Sequence, residues 1–188
     1  KKKDAAGSYA AHPDAPVNRV LQAVRDAGLD VVMHADLCFR EYTDHGHCGV
    51  LHTDAKQPAS PVVDNDATLT NLGKTAAALA SFGADVIAPS GMIDHMVATI
   101  RNSLDNAGHQ QTAILSYSTK YASTFYGPFR DAGEFCLSFC HRQRYPLDCR
   151  RVRDCRTAFN PDLPPGADMF LALSHIHLRD TLRSTTPL

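Results

Sequence analysis

The sequence predicts an α/β fold built on a parallel sheet, of the barrel kind in preference to an open doubly wound sheet. Segments of helical periodicity alternate with short, apolar, β-branched runs, the pattern that α/β folds require. Polar residues crowd just after each apolar run, at the strand ends where parallel α/β folds keep their chemistry. No glycine-rich phosphate turn follows any strand. Instead the tripeptide Gly-Ala-Asp precedes two of them, at Gly83-Ala84-Asp85 and Gly166-Ala167-Asp168.

Each element has its own justification. In residues 16–28, Val17, Val20, Leu21 and Val24 recur at helical spacing, and Gly28 stands where a C-cap belongs. LDVVMHADLCF, 29–39, then reads as a strand buried on both faces. A second helix is expected from Asp66 to Ser81, with an N-cap candidate at its start and an alanine-rich body, followed by the strand ADVIAPSG. A third runs from Asp94 to Gly108, with apolar positions at Val97, Ile100 and Leu104, and hands over to TAILSYS. The fourth pair is weaker: residues 148–160 are arginine-rich, and Pro161, Pro164 and Pro165 interrupt the approach to the strand ADMFLALS.

At 188 residues the chain is expected to form one domain with a substantial core. A formal charge of -1, with 21% charged and 44% hydrophobic residues, gives no whole-chain attraction to nucleic acid or membrane, so a small substrate is expected. No apolar stretch approaches the roughly 20 residues of a membrane span, and Lys1 to Asp4 are not followed by an apolar signal core. The expected location is cytoplasmic. Cysteines 38, 48, 136, 140, 149 and 155 are read as reduced thiols or metal ligands rather than disulfide staples. The last four match no common zinc spacing.

Lys120 lies immediately beyond a predicted buried strand, between Tyr117 and Tyr121, with Arg130 and Arg142 downstream. A lysine becomes a nucleophile when desolvation or nearby positive charge lowers its pKa from about 10.4, freeing an amine to attack a carbonyl. Most lysines are solvated surface groups, so position alone does not decide the matter. Arg130 and Arg142 could grip a substrate carboxylate bidentately, although surface ion pairs are the commoner fate of arginine. The segment DLCFREYTDHGHCG gathers Asp36, Cys38, Asp44, His45, His47 and Cys48, donors suited to zinc; an ordinary polar loop is the alternative.

Longer runs carry a resemblance. HADLCFREYTDHGHCGVL, NDATLTNLGKTAAALASFGADVIAPSGMIDHMVATIR and ILSYSTKYASTFYGPFRDAG resemble three consecutive signature blocks of the porphobilinogen synthases (5-aminolevulinate dehydratases). KDAAGSYA resembles a segment further upstream in that family. The similarity is strong over residues 2–132 and weaker over 133–188, where HRQRYPLD and GADMF still resemble the family. It implies a (β/α)8 TIM barrel, here an incomplete one covering about strands three to six in a single partial domain, 1–188. The implied reaction condenses two 5-aminolevulinate molecules into porphobilinogen, a step of tetrapyrrole and heme synthesis. It runs through lysine Schiff bases in a homo-oligomer, usually an octamer, with zinc or magnesium and no organic cofactor.

By resemblance, Lys120 is an imine-forming lysine, Asp36 a carboxylate assisting proton transfer, and Arg130 and Arg142 the carboxylate grip. Tyr126 and Phe129 belong to the pocket wall, and Ser90 ends the neighbouring strand. Cys38 and Cys48 match the outer two of three zinc cysteines. Arg40 occupies the middle position, where a guanidinium cannot ligate zinc. Ala158 stands where some members carry an acidic magnesium ligand. The second Schiff-base lysine aligns with Leu173, which cannot form an imine, and no lysine follows Lys120. The expected activity is therefore impaired, and the alternative is a non-catalytic relative or fragment that binds substrate or full-length subunits. A structural zinc module of Cys38, His45, His47 and Cys48 is a third reading.

Overall fold

The computed structural model describes residues 2–52, 62–120 and 166–173. After a 3-10 turn, Ser8–Ala11, helix α1 (Pro16–Asp26) leads to strand β1 (His34–Leu37). A short antiparallel pair, β2 (Leu51–His52) and β3 (Val62–Val63), precedes helix α2 (Asn65–Ser81) and strand β4 (Val86–Pro89). Helix α3 (Met96–Asn106), strand β5 (Ala113–Lys120) and strand β6 (Met169–Leu173) complete the described elements. The four longer strands pair in parallel in the order β1-β4-β5-β6. Order in the sheet follows order in the chain, with no reversal of winding among these strands. That is the sequential winding of a barrel; the open doubly wound sheet reverses at a switch point.

The first three expected helix-then-strand pairs are present, and the differences in their extents have physical causes; of the fourth pair the strand is present, and residues 148–160 lie outside the described residues. The run 29–39 yields a strand only over His34–Leu37, because the pairing partner begins at Val86 opposite His34. Upstream, Leu29, Val31 and Val32 are exposed. Burial on both faces is also not what β1 does: Ala35 and Leu37 are buried, whereas His34 and Asp36 are exposed. The helices cover one face of β1 and leave the other open. In α1, Leu21 is buried but Val20 is 61% exposed. The inward face is turned by Asn18, which is buried and donates to the carbonyls of Ala10 (3.1 Å) and His12 (2.8 Å).

Helix α2 is capped by Asp64, whose carboxylate accepts from the Ala67 N–H at 3.0 Å; Asp66 sits in the first turn, where its charge suits the helix dipole. Asp64→Ala should cost about 1 kcal/mol of stability, read as a lower denaturant midpoint with unchanged slope. Val97, Ile100 and Leu104 of α3 are buried as their spacing predicts. They pack with Leu72, Ala76 and Leu79 of α2 and with Ala35, Ile87 and Ile114 of the sheet in one core.

The two Gly-Ala-Asp tripeptides turn out to be one structural device used twice. Asp85 accepts the Met33 N–H at 2.8 Å, and Asp168 accepts the Ile114 N–H at 2.8 Å. Each carboxylate thus ties the start of its own strand to the start of the neighbouring one. Gly83 (φ +109°) and Gly166 (φ +101°) turn the chain through backbone conformations that disfavour side chains, and each lies against an arginine, Arg25 and Arg101 respectively. Arg25 donates to the Gly83 carbonyl and meets Asp85 at 2.6 Å.

The Met33 N–H, with Arg25 as a further partner, holds the Asp85 carboxyl below its ordinary pKa. A depressed pKa means that the folded state favours the carboxylate. This contribution is complete above the unfolded value of about 3.9 and is lost as pH falls through the lower folded value. Asp85→Asn should therefore lessen the loss of stability on acidification below pH ~4. Both partners are partly solvated, so the effect is modest; an unchanged acid limb in pH-dependent unfolding would contradict it.

Candidate active site at the carboxyl ends of the strands

Parallel pairing brings the candidate residues to one edge of the sheet. Asp36 is the penultimate residue of β1, Ser90 follows β4, and Lys120 and Leu173 are the last residues of β5 and β6. The Ser90 N–H donates to the Leu37 carbonyl at 3.4 Å, which joins the first two of these ends. Lys120 belongs to the strand itself, which runs two residues past the expected TAILSYS.

The register of β5 against β6 contains the decisive local feature. Ser116 pairs with Phe170 and Thr119 with Ala172, so β5 advances three residues while β6 advances two. An extra residue of this kind reverses the alternation of a strand. Without it, position 120 would share the row of Ile114 and Ser116, the row of the helix-covered core. With it, position 120 pairs with Leu173 and falls in the opposite row. That row passes through Ala113 and Val86 to Ala88, the partner of Asp36. Backbone positions 36 and 120 therefore share one row of the sheet. The run TAILSYSTK marks a strand by side-chain type, but nothing in it fixes the register against a neighbouring strand, so the irregularity is not visible in the sequence.

The segment after β1 is an ordered loop built by hydrogen bonds. The Tyr42 and Thr43 N–H groups donate to the Phe39 carbonyl, and buried Thr43 Oγ1 donates to the His47 carbonyl at 2.8 Å. His45 Nδ1 accepts the His47 N–H at 3.1 Å, so Nε2 carries the proton and donates to the Ala5 carbonyl, also at 3.1 Å. The upstream segment is tied in as well: the Asp4 N–H donates to the Tyr42 carbonyl, and the Asp4 carbonyl accepts the Asp44 N–H. The Asp4 carboxylate accepts from the Ser8 hydroxyl and from the Ser8 and Ala6 N–H groups, with the Ser8 side chain the first cause of its lowered pKa.

This loop sets Cys38 Sγ 3.6 Å from Cys48 Sγ, with both cysteines reduced and partly buried. The hydrogen bond with Cys48, then burial and the adjacent groups Cys48 and Asp36, push the Cys38 thiol well above its ordinary range; the Arg40 backbone N–H pulls the other way. The donor set does not fit zinc. Among the described residues no three His, Cys, Asp or Glu side chains are gathered as a ligand group, whereas a catalytic zinc takes three protein ligands. Position 40 carries a cation, and both ring nitrogens of His45 are engaged by backbone groups, so the described geometry does not gather Cys38, His45, His47 and Cys48 into a zinc module. Tyr126, Phe129, Arg130 and Arg142 lie outside the described residues, as does Ala158.

Comparison with known proteins gives a consistent result. The family model described as "Delta-aminolevulinic acid dehydratase" matches residues 1–185. A protein of that name from Synechococcus elongatus is 43% identical over 191 residues, covering 100% of this chain and 57% of its own. One from Archaeoglobus fulgidus is 40% identical over 181 residues, covering 96% of this chain and 54% of its own. Among solved structures, delta-aminolevulinic acid dehydratase from Toxoplasma gondii ME49, in complex with the reaction product porphobilinogen, superposes with a TM-score of 0.87 at 36% identity. The match covers 97% of this chain and 51% of that one. The chain thus spans about half the length of the relatives it matches.

Proposed function

Since the chain belongs to the delta-aminolevulinic acid dehydratase family, we propose that it carries the half of a porphobilinogen synthase site that binds one 5-aminolevulinate as an imine on Lys120. The observation that supports this reading is the one-residue register irregularity in β5, which takes position 120 out of the core row and into the row of Asp36. In the proposed step the unprotonated Lys120 amine adds to the ketone carbon of 5-aminolevulinate. Loss of water then leaves the imine. Asp36 is exposed on the open face of β1, as a group exchanging protons with substrate must be. Arg130 and Arg142 grip the substrate carboxylate, Tyr126 and Phe129 wall the pocket, and Ser90 borders it, roles that rest on the family motif.

The full reaction joins two substrate molecules through two lysines, and here the partner position on β6 is Leu173. A leucine forms no imine, so the proposed chemistry of this chain stops at one bound substrate. That same observation favours a second reading, in which the chain binds substrate or associates with full-length subunits without turnover. Homo-oligomeric assembly and a cytoplasmic location go with the family reading; no helix among the described residues is long and apolar enough to cross a membrane.

The family is metal-dependent, with zinc or magnesium according to the member. Cys38 and Cys48 fall short of a zinc ligand set, and none of the proposed steps uses a metal.

The test is to reduce the chain with borohydride in the presence of 5-aminolevulinate and to map the peptides by mass spectrometry. Label on the Lys120 peptide is expected. Label absent from Lys120 under conditions that trap an intact synthase would sink the proposal.

A further inference from the structure

We propose that Ser116 and Ser118 are positioning residues for Lys120: their hydroxyl pair holds the extra residue in β5 that puts position 120 in the row of Asp36. This rests on the imine reading of Lys120 and adds what aims that residue. The Ser118 hydroxyl donates to the Ser116 hydroxyl at 3.1 Å, and both side chains are buried, 4% and 0% exposed respectively. The bond spans the irregular step, where Tyr117 and Ser118 together stand opposite the single residue Leu171. Irregularities of this kind recur beside active sites, where they re-aim a side chain.

The hydroxyl contact belongs to the irregular register alone. In a regular strand each residue advances about 3.3 Å, so residues two apart stand roughly 6.6 Å from each other. Two hydroxyl oxygens, each one bond from its Cβ, cannot close that separation to 3.1 Å. Straightening β5 therefore breaks this bond, and it does so between hydroxyls buried away from water, where the loss costs most. The bond thus discriminates between two pairings of the same strands. In the observed one, Lys120 stands opposite Leu173. Uninterrupted pairing from Ser116 and Phe170 would instead place Thr119 opposite Leu173 and return position 120 to the helix-covered row of Ile114 and Ser116. A contact made in only one of two states shifts the balance towards that state.

The experiment compares Ser118→Val, Ser118→Thr and Ser116→Ala with the wild-type chain. Valine and threonine are both β-branched and similar in size, so they load position 118 alike and differ in the hydroxyl. Two quantities are read per folded chain, the folded fraction being fixed by denaturant titration: the cross-strand contacts of Leu173 by nuclear magnetic resonance, and 5-aminolevulinate trapped on Lys120 by borohydride. Ser118→Val and Ser116→Ala are expected to shift the Leu173 contact from Lys120 towards Thr119 and to lower trapping by about tenfold, the equilibrium shift that one net hydrogen bond gives. Ser118→Thr, which keeps the hydroxyl, should restore both relative to Ser118→Val. A merely structural role would lower the unfolding midpoint while leaving register and trapping per folded chain unchanged, and that result overturns the proposal. Equal losses in the valine and threonine variants also overturn it. Should the valine variant fail to fold, Ser116→Ala, which removes the acceptor and adds no bulk, decides the question. Absence of label from the wild-type chain would instead defeat the imine reading, and the Leu173 contacts would still decide whether the two serines set the register.

Discussion

Lys120→Met is expected to reduce borohydride-trapped 5-aminolevulinate on this chain to background, whereas Lys74→Met leaves trapping intact. Lys74 is an exposed residue of α2 and serves as the control for adventitious amines. In any assembly where the chain supports turnover, removing Lys120 should cost at least about 10³-fold in kcat, the order seen when a covalent nucleophile is deleted. The expectation follows from the register of β5 and β6 together with the ordinary demands of imine chemistry. An amine must reach a carbonyl, and it must be unprotonated when it does so. Leu173→Lys adds a second amine at the position paired with 120, and it should create a second trapped site on β6. Retained labelling of Lys120→Met at the wild-type level would end the proposal that this residue is the imine former.

Ile87→Ala should lower unfolding free energy by about 2–5 kcal/mol, a large share of the roughly 5–15 kcal/mol that a domain has in total. Ile87 is fully buried in β4, paired with Ala35 on one side and Ile114 on the other. Its side chain lies in the core shared with Leu72, Ala76, Val97 and Ile100. Truncation leaves a cavity that three neighbouring elements border, and none can close it without moving a strand or helix that others hold. Val20→Ala in α1 is the contrast: a similar chemical change at a side chain 61% exposed should cost under about 0.5 kcal/mol. Equal losses at the two sites, measured by denaturant titration, would mean that the core is not organised around β4.

Much of the architecture was legible in the sequence because it is written in local periodicities. The spacing of Val97, Ile100 and Leu104 marks the buried face of α3 whatever the rest of the chain does, and the apolar runs mark β1, β4, β5 and β6. Lys120 and Asp36 could be named from motif alone. The same reading failed where a residue's face depends on distant partners. Val20 fits an apolar stripe, but Asn18 takes the inward position by bonding to the carbonyls of Ala10 and His12. His45 has the chemistry of a metal ligand, yet both of its nitrogens are engaged by backbone groups, one of them forty positions away. The repeated Gly-Ala-Asp was visible as letters; its action, tying each strand start to its neighbour, depends on residues 52 and 54 positions distant.

The sequence by itself determined the alternation of helix and strand, the parallel sheet, and which residues could carry imine chemistry. All of these follow from side-chain type and short-range spacing. Tertiary structure alone decided that one extra residue in β5 moves position 120 into the row of Asp36, and that Cys38 and Cys48 meet within a preformed loop. Register and loop closure are fixed by hydrogen bonds and packing between segments far apart in the chain. Such contacts leave no period in the sequence.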